Sequence, residues 1–185
     1  MVRLTSTLIT IAAAAALAGT GAGAALAAAS APPAAVASTA PRCYTQDLSA
    51  SLHGGEGAVA GREGVIMTLT NDGQRSCSLY GYPGLGLQDG NHHTVSSHTF
   101  WGSTWFDRDP GRQLIVLSPG ETASASLAWT SGALADGAVF AAYLVVTPPN
   151  DFGHLVVPLS HPSLEVPVYH GDLYVTAMAR HTPYP

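Results

Sequence analysis

Ala123, Ala125, Leu127 and Trp129 alternate with Thr122, Ser124, Ser126 and Ala128. A repeat of two belongs to a pleated strand, whose successive side chains point to opposite faces. One face is therefore expected to pack and the other to meet water. The strand leaves Ser118-Pro119-Gly120-Glu121, which has Pro and Gly at the two central positions of a type II turn.

The same grammar runs along the chain. Val65, Met67 and Leu69 fall on one face of an earlier strand, with Ile66, Thr68 and Thr70 on the other. Asn71-Asp72-Gly73 supplies a turn, and Asp89-Gly90-Asn91 repeats the device after Leu85 and Leu87. Val139–Val146 is a continuous apolar run ending at Thr147-Pro148-Pro149, which predicts one buried central strand. Pro158 and Pro167 cannot donate to a ladder, so the pieces around them are expected at sheet edges. His170-Gly171-Asp172 turns the chain into a last strand, Leu173–Ala177. No mature stretch of ten residues carries a helical period. Many short strands between turns predict an all-β, immunoglobulin-like antiparallel β-sandwich, with a closed barrel as the alternative.

Composition narrows the function classes. The chain has 185 residues and a formal net charge of −5, with seven arginines and no lysine. The acidic balance argues against nucleic-acid binding, which needs a clustered basic surface. Without lysine there is no Schiff-base chemistry and no Walker A loop. Charged residues make up 10% and hydrophobic ones 46%, a balance that favours a packed core over a disordered chain.

The beginning of the chain reads as an address. Arg3 is followed by an apolar run from Leu8 to Leu17, then small residues through Ala29, the order of a secretory signal peptide. Cleavage is expected after Ala27 or Ala29. Gly19, Gly21 and Gly23 break the run, so a membrane span is not expected after processing. Gly19-x-Gly21-x-x-Ala24 matches a relaxed dinucleotide fingerprint but has no preceding strand. Residues 30–42 are rich in Ala, Pro, Ser and Thr and read as a disordered linker. The domain organisation is thus a signal peptide over 1–29, a linker over 30–42 and a secreted sandwich domain over 43–182.

Cys43 and Cys77 are the two cysteines. In an oxidising compartment an even pair reads as a disulfide. Closing the loop between them is expected to stabilise the fold by roughly 3–4 kcal/mol. A metal site fits the pair poorly, because the short C-x-x-C spacing is missing.

The stretch Asn71-Asp-Gly-Gln-Arg-Ser-Cys77-Ser-Leu-Tyr-Gly81-Tyr82-Pro83-Gly-Leu-Gly-Leu-Gln-Asp-Gly90 resembles the signature of a secreted actinobacterial family, the domain of unknown function numbered four-two-three-two. Leu117-Ser-Pro119-Gly120 with the strand to Trp129, Leu144–Pro149, and Cys43 resemble further elements of it in order. The resemblance covers about residues 43–180 and implies an exported β-sandwich. It implies no reaction, cofactor or catalytic residue. The family pattern often includes a second cysteine pair in the C-terminal half, where this chain has Ala141-Ala142. It also often includes a lipid-anchor cysteine that this chain lacks, which favours release over anchoring. Gly81 and Gly84 flank Tyr82-Pro83 and permit a sharp bend, with the Tyr82 hydroxyl expected to bond backbone.

Chemistry-bearing residues are few and dispersed. His92, His93 and His98 are the densest histidine group. His92 and His98 share a strand face but would lie about 20 Å apart at ~3.3 Å per residue, too far for one zinc ion. His53, His154, His161, His170 and His181 are scattered near turns. Asp107-Arg108-Asp109-Pro110-Gly111 is only faintly like a calcium loop and lacks the late glutamate. No G-x-S-x-G or H-E-x-x-H motif occurs. No catalytic, metal or cofactor site is therefore assigned, and the chain is not expected to be an enzyme.

One segment stands out. Phe100, Trp101, Trp105 and Phe106 place four large aromatics within seven residues. They are candidate ligand-contact residues if exposed, because rigid rings bury much area with few rotors. The packed alternative is a plug over one end of the sandwich. The expectation is a secreted, non-enzymatic binding module with a protein or cell-wall glycan partner. The alternative is a hydrolase or metal-dependent enzyme with a loop-built site, and a third reading is a ligand-free spacer domain.

Overall fold

The computed structural model describes residues 40–54, 61–132, 137–159 and 164–180. The signal segment, residues 30–39 of the linker, His161, His181 and the end of the sandwich domain at 181–182 lie outside the described residues.

The described chain is built from thirteen strands and one 3-10 turn, Thr45–Asp47. Five strands form the larger sheet: β1 (Leu48–His53), β2 (Arg62–Asn71), β8 (Thr122–Thr130), β13 (Asp172–Val175) and β6 (His98–Trp101), in that order. A four-stranded sheet runs β11 (Leu155–Pro158), β10 (Tyr143–Thr147), β4 (Gly84–Gln88), β5 (Thr94–Val95). Two ribbons complete the fold, β3 (Cys77–Tyr80) with β7 (Leu114–Leu117) and β9 (Ala138–Ala141) with β12 (Val166–Tyr169). This is the expected β-sandwich. Among the described strands all ladders are antiparallel except that of β13 with β6, which is parallel.

The inward faces meet in one core. Val65, Met67 and Leu69 of β2 and Ala123, Ala125, Leu127 and Trp129 of β8 are buried, as their alternation predicts. They pack with Leu87 of β4, Leu144 and Val146 of β10, and Leu79, Ile115 and Leu117 of the β3–β7 ribbon. Each fully buried leucine contributes about 1.5–3 kcal/mol through removal from water.

Two expectations need correction. The outer face of β8 is not all wet, for Ser126 and Ala128 are buried too. The segment after β6 reaches Ser126, the Thr104 and Ser126 hydroxyls being 3.1 Å apart, and after β13 the Thr176 Oγ1 accepts the Ser126 amide at 3.0 Å. The apolar run Val139–Val146 is two strands rather than one. Before Ala142 it pairs with β12, and after it with β4 and β11. Ala142 donates its amide to the Gln88 carbonyl and accepts from the Leu159 amide, both at 2.9 Å. Its backbone is thus already in the four-stranded sheet while residues 138–141 belong to the ribbon.

The proline reading holds. β11, which ends at Pro158, is the edge of its sheet, and Pro167 sits in the two-stranded ribbon. The type II turn closes through the Glu121 amide to the Ser118 carbonyl at 2.9 Å. The 71–73 turn is held instead by a buried side chain. Asn71 Nδ2 donates to the carbonyls of Arg75 and Leu117, and Asn71 Oδ1 accepts from the Gly73 amide. Three hydrogen bonds from one amide satisfy a group that would otherwise be costly to bury. In the 89–93 turn the left-handed residue is His92, at φ 62, where Asp89 Oδ1 accepts the amides of Asn91 and His93.

Cys43 and Cys77 form a disulfide with an S–S length of 2.02 Å. Beside it Arg42 bridges to Ser78 in parallel, so the start of the domain is stitched to β3.

Candidate functional site

β6 delivers successive aromatics to opposite sides, because strand side chains alternate. Phe100 faces outward, opposite Tyr174 of β13 in register. The two rings stack at 5.0 Å. Trp105 folds back onto the same tyrosine at 4.7 Å, with the Arg62 guanidinium 5.1 Å from its ring. Phe106 packs against Gly64 of β2. A Cβ there would come within 2.4 Å of the Phe106 ring, so only glycine admits this contact. Thr104 fixes the loop, its hydroxyl accepting the amides of Phe106 and Asp107. This group packs on the outer face of the larger sheet rather than over its end, with Phe100 and Trp105 still 46% and 37% exposed.

Trp101 goes the other way. Its ring stacks on Tyr82 with centroids 5.5 Å apart and planes 14° apart, and its indole N–H donates to the Pro83 carbonyl at 3.1 Å. It nevertheless remains 57% exposed. The four candidate aromatics are thus divided between a plug and an open platform.

The platform forms one wall of a cleft of about 340 Å³. Tyr80, Gly81 and Tyr82 lead from β3 toward β4, and Arg112, Thr147, Pro148, Pro149, Asn150 and Asp151 complete the lining. Gly81 adopts φ +96 and lies under the Arg112 side chain, 3.6 Å from where a Cβ would sit. The left-handed backbone there is open to glycine at little cost. Arg112 then reaches over Tyr82, with its guanidinium carbon 5.6 Å from the ring.

Asp109 anchors this wall. The Tyr82 hydroxyl donates to Asp109 Oδ2 at 2.6 Å, and the Ala177 amide donates to Oδ1 at 2.8 Å. The expected backbone partner of Tyr82 is therefore a carboxylate instead. That hydrogen bond is the main reason the phenol is harder to ionise than a free tyrosine. On the opposite rim Asp151 Oδ2 accepts both the amide and the hydroxyl of Thr45, at 2.7 and 2.6 Å. These bonds, with the amides of Phe152 and Gly153, bring the Asp151 pKa down to about 2.

The six described histidines are exposed and apart in function. His92 stacks on Tyr143, His93 meets Asp89, His98 meets Asp172, and His53 meets Ser51. Among the described residues no three His, Cys, Asp or Glu side chains gather as metal ligands. Asp107 and Asp109 do not form an ion loop, since Asp109 turns inward to Tyr82 and Ala177. A second hollow, of about 490 Å³, lies at the disulfide between Arg42, Tyr44 and the 71–77 turn. Its Arg42 is already engaged with the Asn150 carbonyl at 2.7 Å and with the Tyr44 ring.

The model of a domain of unknown function, DUF4232, matches residues 43–179. The chain belongs to the DUF4232 family. No curated protein and no solved structure matches it. The most recognisable stretch of this DUF4232 domain, Cys77 to Pro83, runs from the disulfide to the cleft wall. Among the described residues no helix is long and apolar enough to cross a membrane.

Sequence reasoning missed Tyr80, Asp109, Arg112 and Asp151 as members of one site. They come from the end of β3 and from two separate connections, and only the crossing of the chain brings them together. The usable signal was weaker: Tyr-Gly-Tyr-Pro and Asp-Arg-Asp-Pro-Gly-Arg are the two turn segments richest in rings and charge around the aromatic run.

Proposed function

We propose that this DUF4232 protein is an exported, non-enzymatic binding module whose ligand rests on the Trp101–Tyr82 platform. The observation that carries this reading is an exposed indole held rigid by a ring beneath it and by a hydrogen bond from its N–H. A preorganised aromatic surface loses little conformational entropy on binding. The carboxylates of the cleft support binding over chemistry. Asp109 and Asp151 both hold backbone amides and hydroxyls, and no histidine, cysteine or serine is among the described lining residues. The disulfide and the apolar leader with its small-residue end favour a life outside the cytoplasm.

Co-sedimentation of the purified protein with insoluble cell-wall material tests the reading. Binding that falls at least about tenfold in Trp101→Ala, with the variant still folded, is expected. Absence of binding, or turnover of a peptidoglycan or ester substrate, overturns it. The mass of protein collected from medium tests export, the expected mature chain beginning at Ala28 or Ser30.

A further inference from the structure

We propose that the cleft recognises a carboxylated saccharide, with Trp101 and Tyr82 carrying the sugar ring and Arg112 taking the carboxylate. The inference rests on the binding reading above and names the ligand class of the same site.

The argument begins with which groups are already engaged. Asp151 in the lining and Asp109 behind Tyr82 have their oxygens committed to internal donors. Arg112 is different. It is exposed, has no carboxylate within ion-pair distance among the described residues, and makes a ring contact only, with Tyr82. A planar guanidinium already oriented by stacking presents its donors in a fork that matches a carboxylate. In a chain of net charge −5 this is an unpaired cation beside an aromatic platform, which favours an anionic occupant.

The uncharged rim points to a sugar. The Tyr80 hydroxyl, Thr147 Oγ1 and the Asn150 amide line the cleft and have no internal hydrogen-bond partner among the described residues. A wholly apolar occupant would strip water from all three without replacing it, at a cost for each. A pyranose meets both demands. Its C–H face lies against the electron-rich ring face, and its hydroxyls reach the rim. A peptide adding to a sheet would need a free strand edge. Between β4 and β10 that edge is taken, because Gly84 and Thr147 already face each other in the ladder. The cleft volume is at the small end for ligand sites, which fits one or two rings of a longer chain.

The test measures binding of the whole purified protein to two soluble oligosaccharide sets of matched length, one neutral (chitin fragments) and one carboxylated (polygalacturonate fragments), by calorimetry. The expected result is a preference of about tenfold or more for the carboxylated set. Arg112→Gln should erase that preference while leaving neutral binding within about twofold. Trp101→Ala should remove binding of both. Equal binding of both sets, or no effect of Arg112→Gln, overturns the anionic assignment and leaves the binding module standing. Binding of a proline-rich or acidic peptide in place of sugars also overturns it. A protein that binds neither sugars nor cell-wall material fails at the earlier reading instead.

Discussion

Phe100 and Trp101 are neighbours in β6, and they end in opposite circumstances. Phe100 joins Tyr174, Trp105 and Arg62 in a stack that covers the outer face of the larger sheet, completed by Phe106 on Gly64. Trp101 is more exposed than either Phe100 or Trp105, yet its ring is fixed by Tyr82 and Pro83. The outer stack is answered from its own sheet, Phe100 and Trp105 by Tyr174, Trp105 also by Arg62, and Phe106 by Gly64, although Phe100 and Trp105 keep 46% and 37% exposure. The cleft is left open on one side, with an arginine and three polar groups that find no ion-pair or hydrogen-bond partner among the described residues. An aromatic cluster in a sequence therefore does not name a site. What matters is which rings have their faces covered.

The frame beneath the two regions differs as well, and removing the disulfide should expose that. Replacing Cys43 and Cys77 together by serine is expected to destabilise the protein by roughly 3–4 kcal/mol in denaturant unfolding. Hydrogen exchange should then accelerate most in β3, which pairs only with β7 and the short Arg42 bridge. β2 and β8, joined over nine register pairs, should stay protected. Uniform acceleration across both sheets would show that the bridge acts only on the unfolded chain.

Single substitutions should separate the two aromatic regions. Gly64→Ala places a methyl inside the Phe106 ring and is expected to cost about 1–3 kcal/mol by overpacking, while cell-wall binding stays within about twofold. Trp101→Ala should do the reverse, with a cost of about 1 kcal/mol or less at an exposed site and binding lost. If Gly64→Ala abolishes binding in a protein that is still folded, the outer stack belongs to the site and the distinction fails.

These contrasts mark what the sequence could and could not convey. Alternation in β2 and β8 was readable because one face is covered by a continuous core, which imposes period two on the residue types. The same logic failed at Ser126 and Ala128, for Ser126 is met by segments from elsewhere in the chain. It failed again at Ala142, where small apolar residues suit either strand and only the partners decide. The disulfide was legible from the even cysteine count and from the apolar leader that made an oxidising compartment the expectation. The cleft was not, because the Asp109–Arg112 turn, Tyr82 and Asp151 meet only through tertiary contacts, and nothing local distinguishes a carboxylate that holds a backbone amide from one facing water.

Asp151 provides the smallest and most local distinction. Its carboxylate lies at about 2 rather than 3.8, first because of the Thr45 hydroxyl and then the Thr45 amide. The folded protein therefore holds Asp151 ionised at a pH where the unfolded chain has already taken up the proton. The stabilisation is complete above the unfolded value of 3.8 and is lost as pH falls toward about 2. Asp151→Asn should lower the melting temperature at pH 5–6, and the gap between the two proteins should close as pH falls through that window. The effect is modest because the group lies at the surface, where solvent screens it. Trp105→Ala, in the outer stack, should show a gap that does not change over the same range, since none of its ring contacts is to a carboxylate. An Asp151→Asn gap that persists undiminished at pH 2 would mean the Thr45 contacts do not depend on the charge. The cleft rim would then be held by packing, in the same manner as the plug.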